Sequence, residues 1–180
     1  MKKLSVLLVT TLLVSSCSSG KQDGSPGIVP NCNQIKLLDT AEKSTLMPCL
    51  DGAGSLNFHQ LKGPMVINVW GSWCEGCKVE MPYFVDLYET QSFKSDQIQL
   101  LGINVEESSK SDATDYIKKS GMRWPHLEDL DGVSKSIFGP GVPVTWFINE
   151  EGENVATKIG AYTSKDQLFE QVEKAFGIKL

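Results

Sequence analysis

The chain has 180 residues, of which 41% are hydrophobic and 22% are charged. This composition is that of one globular domain, and it argues against wholesale disorder, a collagen-like repeat and a multi-span membrane protein. The formal net charge is −5, and it becomes −7 if a leader containing Lys2 and Lys3 is removed, since 15 basic residues then face 22 acidic ones. Non-specific nucleic-acid binding depends on basic residues that neutralise phosphates. We therefore expect no nucleic-acid partner, and partners among small molecules and proteins.

The first sixteen residues have the pattern of a secretory leader. A short basic head precedes an apolar run at 4–14, which is about half of the roughly 20 residues that a membrane-spanning helix needs. The run Val-Ser-Ser-Cys at 14–17 resembles a bacterial lipobox, in which cleavage occurs before a cysteine that then receives lipid. We expect a lipoprotein-type signal peptide at 1–16 and lipidation of Cys17. Ordinary cleavage nearby and an unprocessed Cys17 are the alternatives.

Residues 17–30 are predicted to be the lipidated cysteine and a flexible tether. The segment 18–30 is rich in Ser, Gly, Lys, Gln, Asp and Pro and has no apolar period. Thirteen residues of flexible chain have an r.m.s. reach of roughly 20 Å. Lipid on Cys17 would hold the domain at 31–180 on the outside of a bacterial membrane without spanning it.

Four cysteines remain after Cys17, namely Cys32, Cys49, Cys74 and Cys77. An even number suits a compartment in which disulfides persist, and three pairings are formally available. Cys74 and Cys77 are only three residues apart, so a bond between them suits chemistry better than loop closure. Cys32 and Cys49 are then left to each other, and their bond would close a loop of about 18 residues and contribute ~3 kcal/mol in the chain-entropy model. Two free or separately used thiols are the alternative.

Metal and haem sites fit these cysteines less well. A structural zinc site usually has two closely spaced ligand pairs or histidine support, and neither His59 nor His126 has metal-ligand spacing to a cysteine. Both histidines are expected at the surface or half-buried. Covalent haem attachment requires His directly after the second cysteine, where this chain has Lys78. We therefore expect neither a metal nor a cofactor.

The body of the chain begins with a strand and a helix around the close cysteine pair. The run Met-Val-Ile-Asn-Val-Trp at 65–70 is typical of a strand buried on both faces. After Glu75, apolar residues recur at intervals of three and four residues, which predicts a helix that ends near Thr90. Cys74 therefore lies at a helix N-terminus, where partial positive charge favours thiolate over thiol.

The remaining elements complete an α/β pattern. We predict a strand at 98–105 and helices at 111–120 and 133–138. A strand at 142–148 and a returning strand at 154–159 should then form a hairpin. The last predicted helix begins in a capping box at 164–167 and ends at Gly177. These elements predict an α/β sandwich with the cysteine pair at the carboxyl end of its strand. Open α/β sheets place their chemistry at that edge.

Two motifs together resemble the thioredoxin superfamily, and more narrowly its TlpA and ResA group of membrane-tethered, extracytoplasmic proteins. They are Trp-Cys-Glu-Gly-Cys at 73–77 and Gly-Val-Pro-Val-Thr at 141–145, and the likeness covers roughly residues 46–180. The resemblance implies a thioredoxin-like fold, in which helices flank a central mixed β-sheet that carries an N-terminal extension. The Cys-x-x-Cys motif of this fold begins a helix.

The resemblance also implies roles for individual residues. Pro143 should follow a cis peptide bond and present the backbone of Val142 to a substrate chain, with Trp73 beside the cysteines. A trans turn proline is the alternative. Glu80, three residues after Cys77, should donate and accept the proton of that thiol, and a solvated helix carboxylate is the alternative.

The sequence departs from the commonest thioredoxin pattern at two positions. Gly76 stands where proline is most frequent, and it loosens the first helical turn, on which the redox potential depends. Asn68 stands where cytoplasmic thioredoxins have a buried Asp that moves protons, and an amide does not titrate. The TlpA and ResA group shares this second departure and carries a carboxylate that matches Glu80.

The activity implied by the resemblance is thiol-disulfide exchange on protein dithiols and disulfides outside the cytoplasm. Cys74 would attack a substrate disulfide, and Cys77 would resolve the mixed disulfide with help from Glu80. The group favours the reducing direction, with a membrane electron donor and a role in cytochrome c maturation. A disulfide-forming oxidase with a membrane acceptor, a peroxidase, and a lipoprotein that holds a soft cation such as Cu(I) are alternatives. The chain lacks the Pro-x-x-x-Thr-x-x-Cys order of peroxiredoxins.

Overall fold

A computed structural model describes residues 26–180 and shows a mixed sheet between two layers. A short antiparallel hairpin precedes it, formed by β1 (Leu46–Pro48) and β2 (Ser55–Asn57). The sheet itself contains β3 (Met65–Trp70), β4 (Gln99–Val105), β5 (His126–Asp129), β6 (Val144–Ile148) and β7 (Asn154–Ile159), in the order β5-β4-β3-β6-β7. The first three are parallel to one another, whereas β6 is antiparallel to both β3 and β7.

Within residues 26–180, five α-helices accompany these strands, namely α1 (Glu75–Tyr88), α2 (Gln91–Lys94), α3 (Lys110–Ser120), α4 (Ser134–Phe138) and α5 (Lys165–Phe176). Three of them, α1, α3 and α5, begin at a residue whose side chain caps the helix. The hydroxyl of Ser164 accepts a hydrogen bond from the backbone N–H of Gln167 and so begins α5. Gly177 ends α5 in the left-handed region at φ 64°. These helices flank the sheet, as the predicted fold class requires.

Two apolar cores lie on opposite faces of the sheet. Every residue of β3 and β4 is buried, so alternate side chains of each strand enter different cores. One core lies under α1, α3 and α5 and includes Val66, Trp70, Phe84, Ile117 and Leu168. The other lies under the N-terminal extension and includes Met47, Ile67, Leu101, Leu127 and Phe138. The carboxyl end of β3 is therefore held from both sides.

The N-terminal segment lies against α3 from the first residue that the structure describes. The backbone N–H of Gly27 donates to the carbonyl oxygen of Lys118, and that of Ile28 donates to Met122, both at 2.9 Å. A Cβ at Gly27 would collide with the carbonyl oxygen of Ile117. Within the segment predicted to be a tether, the backbone of Gly27 and Ile28 therefore pairs with the domain, which apolar periodicity does not reveal.

The expectations for residues 1–25 lie outside the described residues. They include the signal peptide at 1–16, lipidation of Cys17 and most of the tether. Between residues 26 and 180, no helix combines the length and the apolar character needed to cross a bilayer.

Cys32 and Cys49 form a disulfide in which the Cα atoms are 6.0 Å apart. Both residues are buried, and Cys49 pairs as an isolated β-bridge with Leu127 of β5. The bond therefore ties the N-terminal extension to the core beneath the sheet. The carboxylate of Asp51 and the two sulfurs lie within 4.8 Å of one another, but bonded sulfurs offer no thiolate to a metal.

His126 is completely buried, so its predicted surface or half-buried position is wrong. Trp70 donates its Nε1–H to His126 Nδ1 at 3.2 Å. The centroid of the Trp124 ring lies 5.7 Å from the centroid of the His126 ring. Burial lowers the pKa of His126 to about 3, which keeps the ring neutral. His59 is half-buried, as expected.

Candidate active site

The close cysteine pair lies where β3 passes into α1. Cys74 is the N-cap of α1, and its Sγ accepts a hydrogen bond from the backbone N–H of Cys77 at 3.1 Å. The two are joined as a disulfide with Cα atoms 5.3 Å apart. Cys74 is 5% exposed and Cys77 is completely buried, so Cys74 is the sulfur that a partner can approach.

Residues from the end of the neighbouring strand β4 hold the turn before the cysteine pair. The carboxylate of Glu107 accepts hydrogen bonds from the backbone N–H and the hydroxyl of Ser72, both at 2.6 Å. Trp73 donates its Nε1–H to the carbonyl oxygen of Val105 at 3.3 Å, yet 48% of its surface remains exposed. Sequence reasoning missed Glu107. The available signal was its place two residues after a buried strand parallel to β3.

The Val142–Pro143 peptide bond is cis, as the resemblance implied. Pro143 lies against the first turn of α1, because a Cβ added to Gly76 would lie 3.2 Å from Pro143 Cδ and 3.6 Å from Ala161 Cβ. The backbone N–H of Gly160 donates to the carbonyl oxygen of Pro143 at 3.0 Å. The absence of a side chain at position 76 therefore permits a close approach between the helix and the two loops at the open end of the β6–β7 hairpin, one before β6 and one after β7.

A cleft of about 240 Å³ lies between Trp73 and Val142. Its lining combines apolar groups with the backbone of the loop at 139–142. Glu106 and Lys135, which form an ion pair, also line the cleft. The cleft thus offers apolar walls and a charged rim next to the cis proline.

Glu80 is completely buried on α1, three residues after Cys77. Asn68 donates its Nδ2–H to Oε1 at 2.9 Å, and the backbone N–H of Tyr162 donates to Oε2 at 3.0 Å. Burial raises the pKa of Glu80 to about 7, although both hydrogen bonds and the charge of Lys158 oppose the rise. A solvated helix carboxylate, the alternative considered for this residue, does not fit this burial.

Comparison with known proteins points to the same group as the motifs. Residues 39–157 match the model of the AhpC/TSA family. The chain is 34% identical over 110 residues to the thiol-disulfide oxidoreductase ResA of Bacillus subtilis, covering 60% of each chain. It is 32% identical over 112 residues to the sporulation thiol-disulfide oxidoreductase A of the same organism, covering 61% of this chain and 66% of the relative. The chain therefore spans less than two thirds of the length of these curated relatives.

Solved structures confirm the thioredoxin-like fold. The crystal structure of StoA from Bacillus subtilis superposes with a TM-score of 0.57 at 27% identity, over 70% of this chain and 93% of StoA. A secreted disulfide oxidoreductase of Mycobacterium tuberculosis superposes with a TM-score of 0.62 at 21% identity, over 73% of this chain and 96% of that one, and this likeness concerns the fold alone. Since the family model matches more than half of its residues, the chain belongs to the AhpC/TSA family.

Proposed function

We propose that this protein is a thiol-disulfide oxidoreductase that exchanges its Cys74–Cys77 bond with the disulfides and dithiols of other proteins. The observation that carries the proposal is the cysteine pair at the N-terminus of α1, next to the cis bond before Pro143. The names of the curated relatives, both thiol-disulfide oxidoreductases, support the same reaction class. The reaction moves electrons between sulfurs, so no cofactor is required.

In the reducing direction, Cys74 is the nucleophile. The helix N-terminus and the Cys77 N–H stabilise its thiolate. The thiolate attacks one sulfur of the substrate disulfide, so a mixed disulfide forms and the other substrate sulfur leaves as a thiolate. Cys77 then attacks the Sγ of Cys74, the Cys74–Cys77 bond forms, and the second substrate sulfur leaves. Two electrons have passed from the pair to the substrate.

Glu80 is suited to accept and return the proton of Cys77. A completely buried thiol cannot lose its proton directly to bulk water, so it needs a base within the protein. Glu80 lies on the same face of α1, and a pKa of about 7 lets it hold or release a proton near neutral pH. The amide of Asn68 cannot titrate and therefore cannot replace it.

The substrate chain is proposed to cross the loop that contains Val142 and Pro143. The backbone of Val142 would pair with the substrate, and the exposed indole of Trp73 would cover it from the other side. The 240 Å³ cleft between these residues has room for a substrate side chain. An apolar wall with a charged rim fits an extended protein segment better than a small free thiol.

The proposed location is the outside of a bacterial membrane, with lipid on Cys17 as the anchor. The run Val-Ser-Ser-Cys at 14–17 and the Cys32–Cys49 disulfide support it, since structural disulfides persist in oxidising compartments. In that setting a membrane donor would re-reduce the pair, and cytochrome c maturation is the proposed process. Labelling of the expressed protein with a radioactive fatty acid, and its loss in Cys17→Ser, tests the anchor.

A redox titration of the protein tests the central proposal, with alkylation and mass spectrometry reporting each cysteine pair separately. A Cys74–Cys77 potential near or below about −270 mV supports a reductant, whereas one near about −120 mV supports the oxidase alternative. Without a reversible couple the proposal fails, and metal retained through purification would then favour the soft-cation alternative. Turnover of hydrogen peroxide without disulfide exchange would favour the peroxidase.

Two variants separate the roles of the cysteines. We expect Cys74→Ser to abolish exchange, because the nucleophile is gone. We expect Cys77→Ser to accumulate covalent adducts with protein partners, because the mixed disulfide is no longer resolved. Retained exchange in Cys74→Ser would contradict the mechanism.

A further inference from the structure

The side chain of Lys158, a half-buried residue near the end of β7, folds back on the turn that follows the strand. Its Nζ donates hydrogen bonds to the carbonyl oxygens of Ile159 and Gly160, at 3.0 and 3.2 Å. The same Nζ lies 5.6 Å from the centroid of the Tyr162 ring. All three contacts are with residues 159–162, which we call the β7–α5 turn. One ammonium group therefore contacts most of this turn.

The backbone N–H groups of the β7–α5 turn contact two parts of the candidate active site. The N–H of Gly160 donates to the carbonyl oxygen of Pro143 at 3.0 Å. Two residues later, the N–H of Tyr162 donates to Oε2 of Glu80, also at 3.0 Å. The turn therefore joins the loop of the cis proline to the buried carboxyl group.

The hydrogen bonds to Lys158 and to Pro143 are made by a single peptide unit. The carbonyl oxygen of Ile159 and the N–H of Gly160 belong to the same planar group, in which they point in opposite directions. Lys158 donates to the oxygen, and Pro143 accepts from the N–H. A contact that fixes the oxygen therefore also fixes the direction of the N–H.

The second hydrogen bond of Lys158 extends this control toward Glu80. The carbonyl group of Gly160 belongs to the peptide unit directly before the one that carries the Tyr162 N–H. Gly160 is in the left-handed region at φ 80°. Glycine has more backbone freedom than any other residue, so contacts from elsewhere must select this conformation. Hydrogen bonds from a charged donor are roughly twice as strong as neutral ones, which suits the ammonium group to this role.

We propose that Lys158 is a positioning residue whose ammonium group fixes the β7–α5 turn. It thereby keeps one N–H of the turn on Pro143 and another on Glu80. This inference rests on the proposed function, in which Pro143 lies in the substrate-binding loop and Glu80 moves the proton of Cys77. Lys158 acts on these residues through the backbone of the turn and takes no part in the transfer of electrons between sulfurs.

Other groups also act on Glu80 and have to be kept constant. Asn68 of β3 donates to Oε1. Burial and, in part, the charge of Glu80 raise the pKa values of Tyr116 of α3 and of Tyr162. The positive charge of Lys158 itself lowers the pKa of Glu80. A substitution of Lys158 therefore changes Glu80 even if the turn does not move, so the test needs a measurement of the turn itself.

Amide hydrogen exchange of the oxidised protein, followed by NMR, measures the turn directly. We expect Lys158→Met to speed hydrogen exchange at Gly160 and Tyr162 about fivefold, because the turn opens more often once its carbonyl oxygens are released. The amides of β3, in the buried centre of the sheet, correct for any change in global stability. Lys174→Met is the matched control and should leave both rates unchanged. It removes the same charge from the α5 side of the groove that Lys158 lines, and it leaves the contacts of Lys158 in place.

Carbon-13 NMR of the Glu80 carboxyl group in the same samples measures the consequence for the site, with Glu80→Gln identifying the signal. In the oxidised protein Cys77 does not titrate, so the midpoint belongs to Glu80. We expect Lys158→Met to raise this midpoint by about one pH unit, because the carboxylate loses a nearby positive charge and a fixed backbone donor.

The Glu80→Gln background separates the hydrogen bonds of Lys158 from its attraction to the charge of Glu80. In that background Lys158→Met should still speed hydrogen exchange at Gly160, because the bonds to the carbonyl oxygens do not need a charge at position 80. Loss of the acceleration there would overturn the proposal, since attraction to Glu80 would then be what holds the turn.

Unchanged hydrogen exchange at Gly160 and Tyr162 in Lys158→Met would overturn the proposal even with a raised midpoint, because the lost charge would explain that rise. An equal acceleration throughout β3 would also overturn it, as would an unchanged Glu80 midpoint. Both measurements use the oxidised protein, in which they do not depend on reaction with substrates. Absent disulfide exchange would therefore refute the proposed function without deciding this test.

Discussion

The carboxylate of Glu107 holds Ser72 through two hydrogen bonds of 2.6 Å, one from its backbone N–H and one from its hydroxyl. Asn104 donates a third hydrogen bond to the same carboxylate at 2.7 Å. Ser72 lies two residues before Cys74. The end of β4 therefore fixes the path along which the chain reaches the N-terminus of α1.

We expect Glu107→Ala to lower the free energy of unfolding by about 2 kcal/mol, because three donors lose a charged acceptor. The same change should slow exchange at Cys74, since the turn that positions it is released. Urea unfolding and the rate of insulin reduction measure the two effects. Glu89→Ala is the matched control, because it removes only a partly exposed ion pair with Lys94 and lies outside the cleft. Equal effects at 89 and 107 would contradict this role.

The buried carboxyl group of Glu80 predicts an unusual dependence of stability on pH. Its pKa is about 7 in the folded protein, whereas the ordinary pKa of a glutamate side chain is 4.5. Between these values the folded state keeps a proton that the unfolded chain has lost. The contribution of Glu80 to the free energy of unfolding should therefore be largest below pH 4.5 and be lost as pH rises from 4.5 through 7, by an order-of-magnitude total of about 3 kcal/mol.

Glu80→Gln isolates this effect, because the amide does not titrate. Burial of neutral His126 acts in the opposite sense, since its lowered pKa of about 3 removes stability as pH falls below 6.5. Both proteins contain His126, so the difference between their unfolding free energies reports Glu80 alone. We expect that difference to change between pH 4.5 and 7 in urea unfolding of the oxidised proteins. A flat difference for Glu80→Gln would rule out the raised pKa.

The packing around His126 predicts that Gly102 of β4 tolerates no side chain. A Cβ at Gly102 would collide with His126 Nδ1 and lie 2.9 Å from Trp70 Nε1, so it would disrupt the hydrogen bond between those rings. We expect Gly102→Ala to cost about 3 kcal/mol of unfolding free energy. Gly141→Ala is the control, because a Cβ there meets no heavy atom within 4 Å. Thermal unfolding compares the two, and a tolerated Gly102→Ala would show that this contact is not tight.

The Cys32–Cys49 bond is predicted to serve stability and not exchange. It belongs to the core under the N-terminal extension, whereas Cys74 and Cys77 belong to the core on the opposite face of the sheet. Replacement of both Cys32 and Cys49 by Ala should lower the free energy of unfolding by about 3 kcal/mol. The Cys74–Cys77 potential should stay within measurement error of the wild type. A large shift of that potential would show that the two bonds are coupled.

The sequence alone was sufficient for the reactive pair and for most of the elements, but it did not predict β1, β2, β5 or α2. β3, Cys74 and α1 follow one another without a break, so the apolar period on each side places the cysteine at a helix N-terminus. The cis bond before Pro143 also follows from a local motif, once the resemblance is recognised. These features depend on neighbours within a few residues, and local pattern is what a sequence displays directly.

Only the tertiary structure decided which distant residues surround that pair. Glu107 reaches Ser72 because β4 lies parallel to β3, and Thr145 faces Asn68 because β6 pairs with β3 in one particular register. A shift of that register by one residue would turn Thr145 to the other face of the sheet. The burial of His126 and the pairing of Gly27 and Ile28 with Lys118 and Met122 also depend on long-range contacts. No local period encodes them, because strand register is set by the packing of the whole sheet.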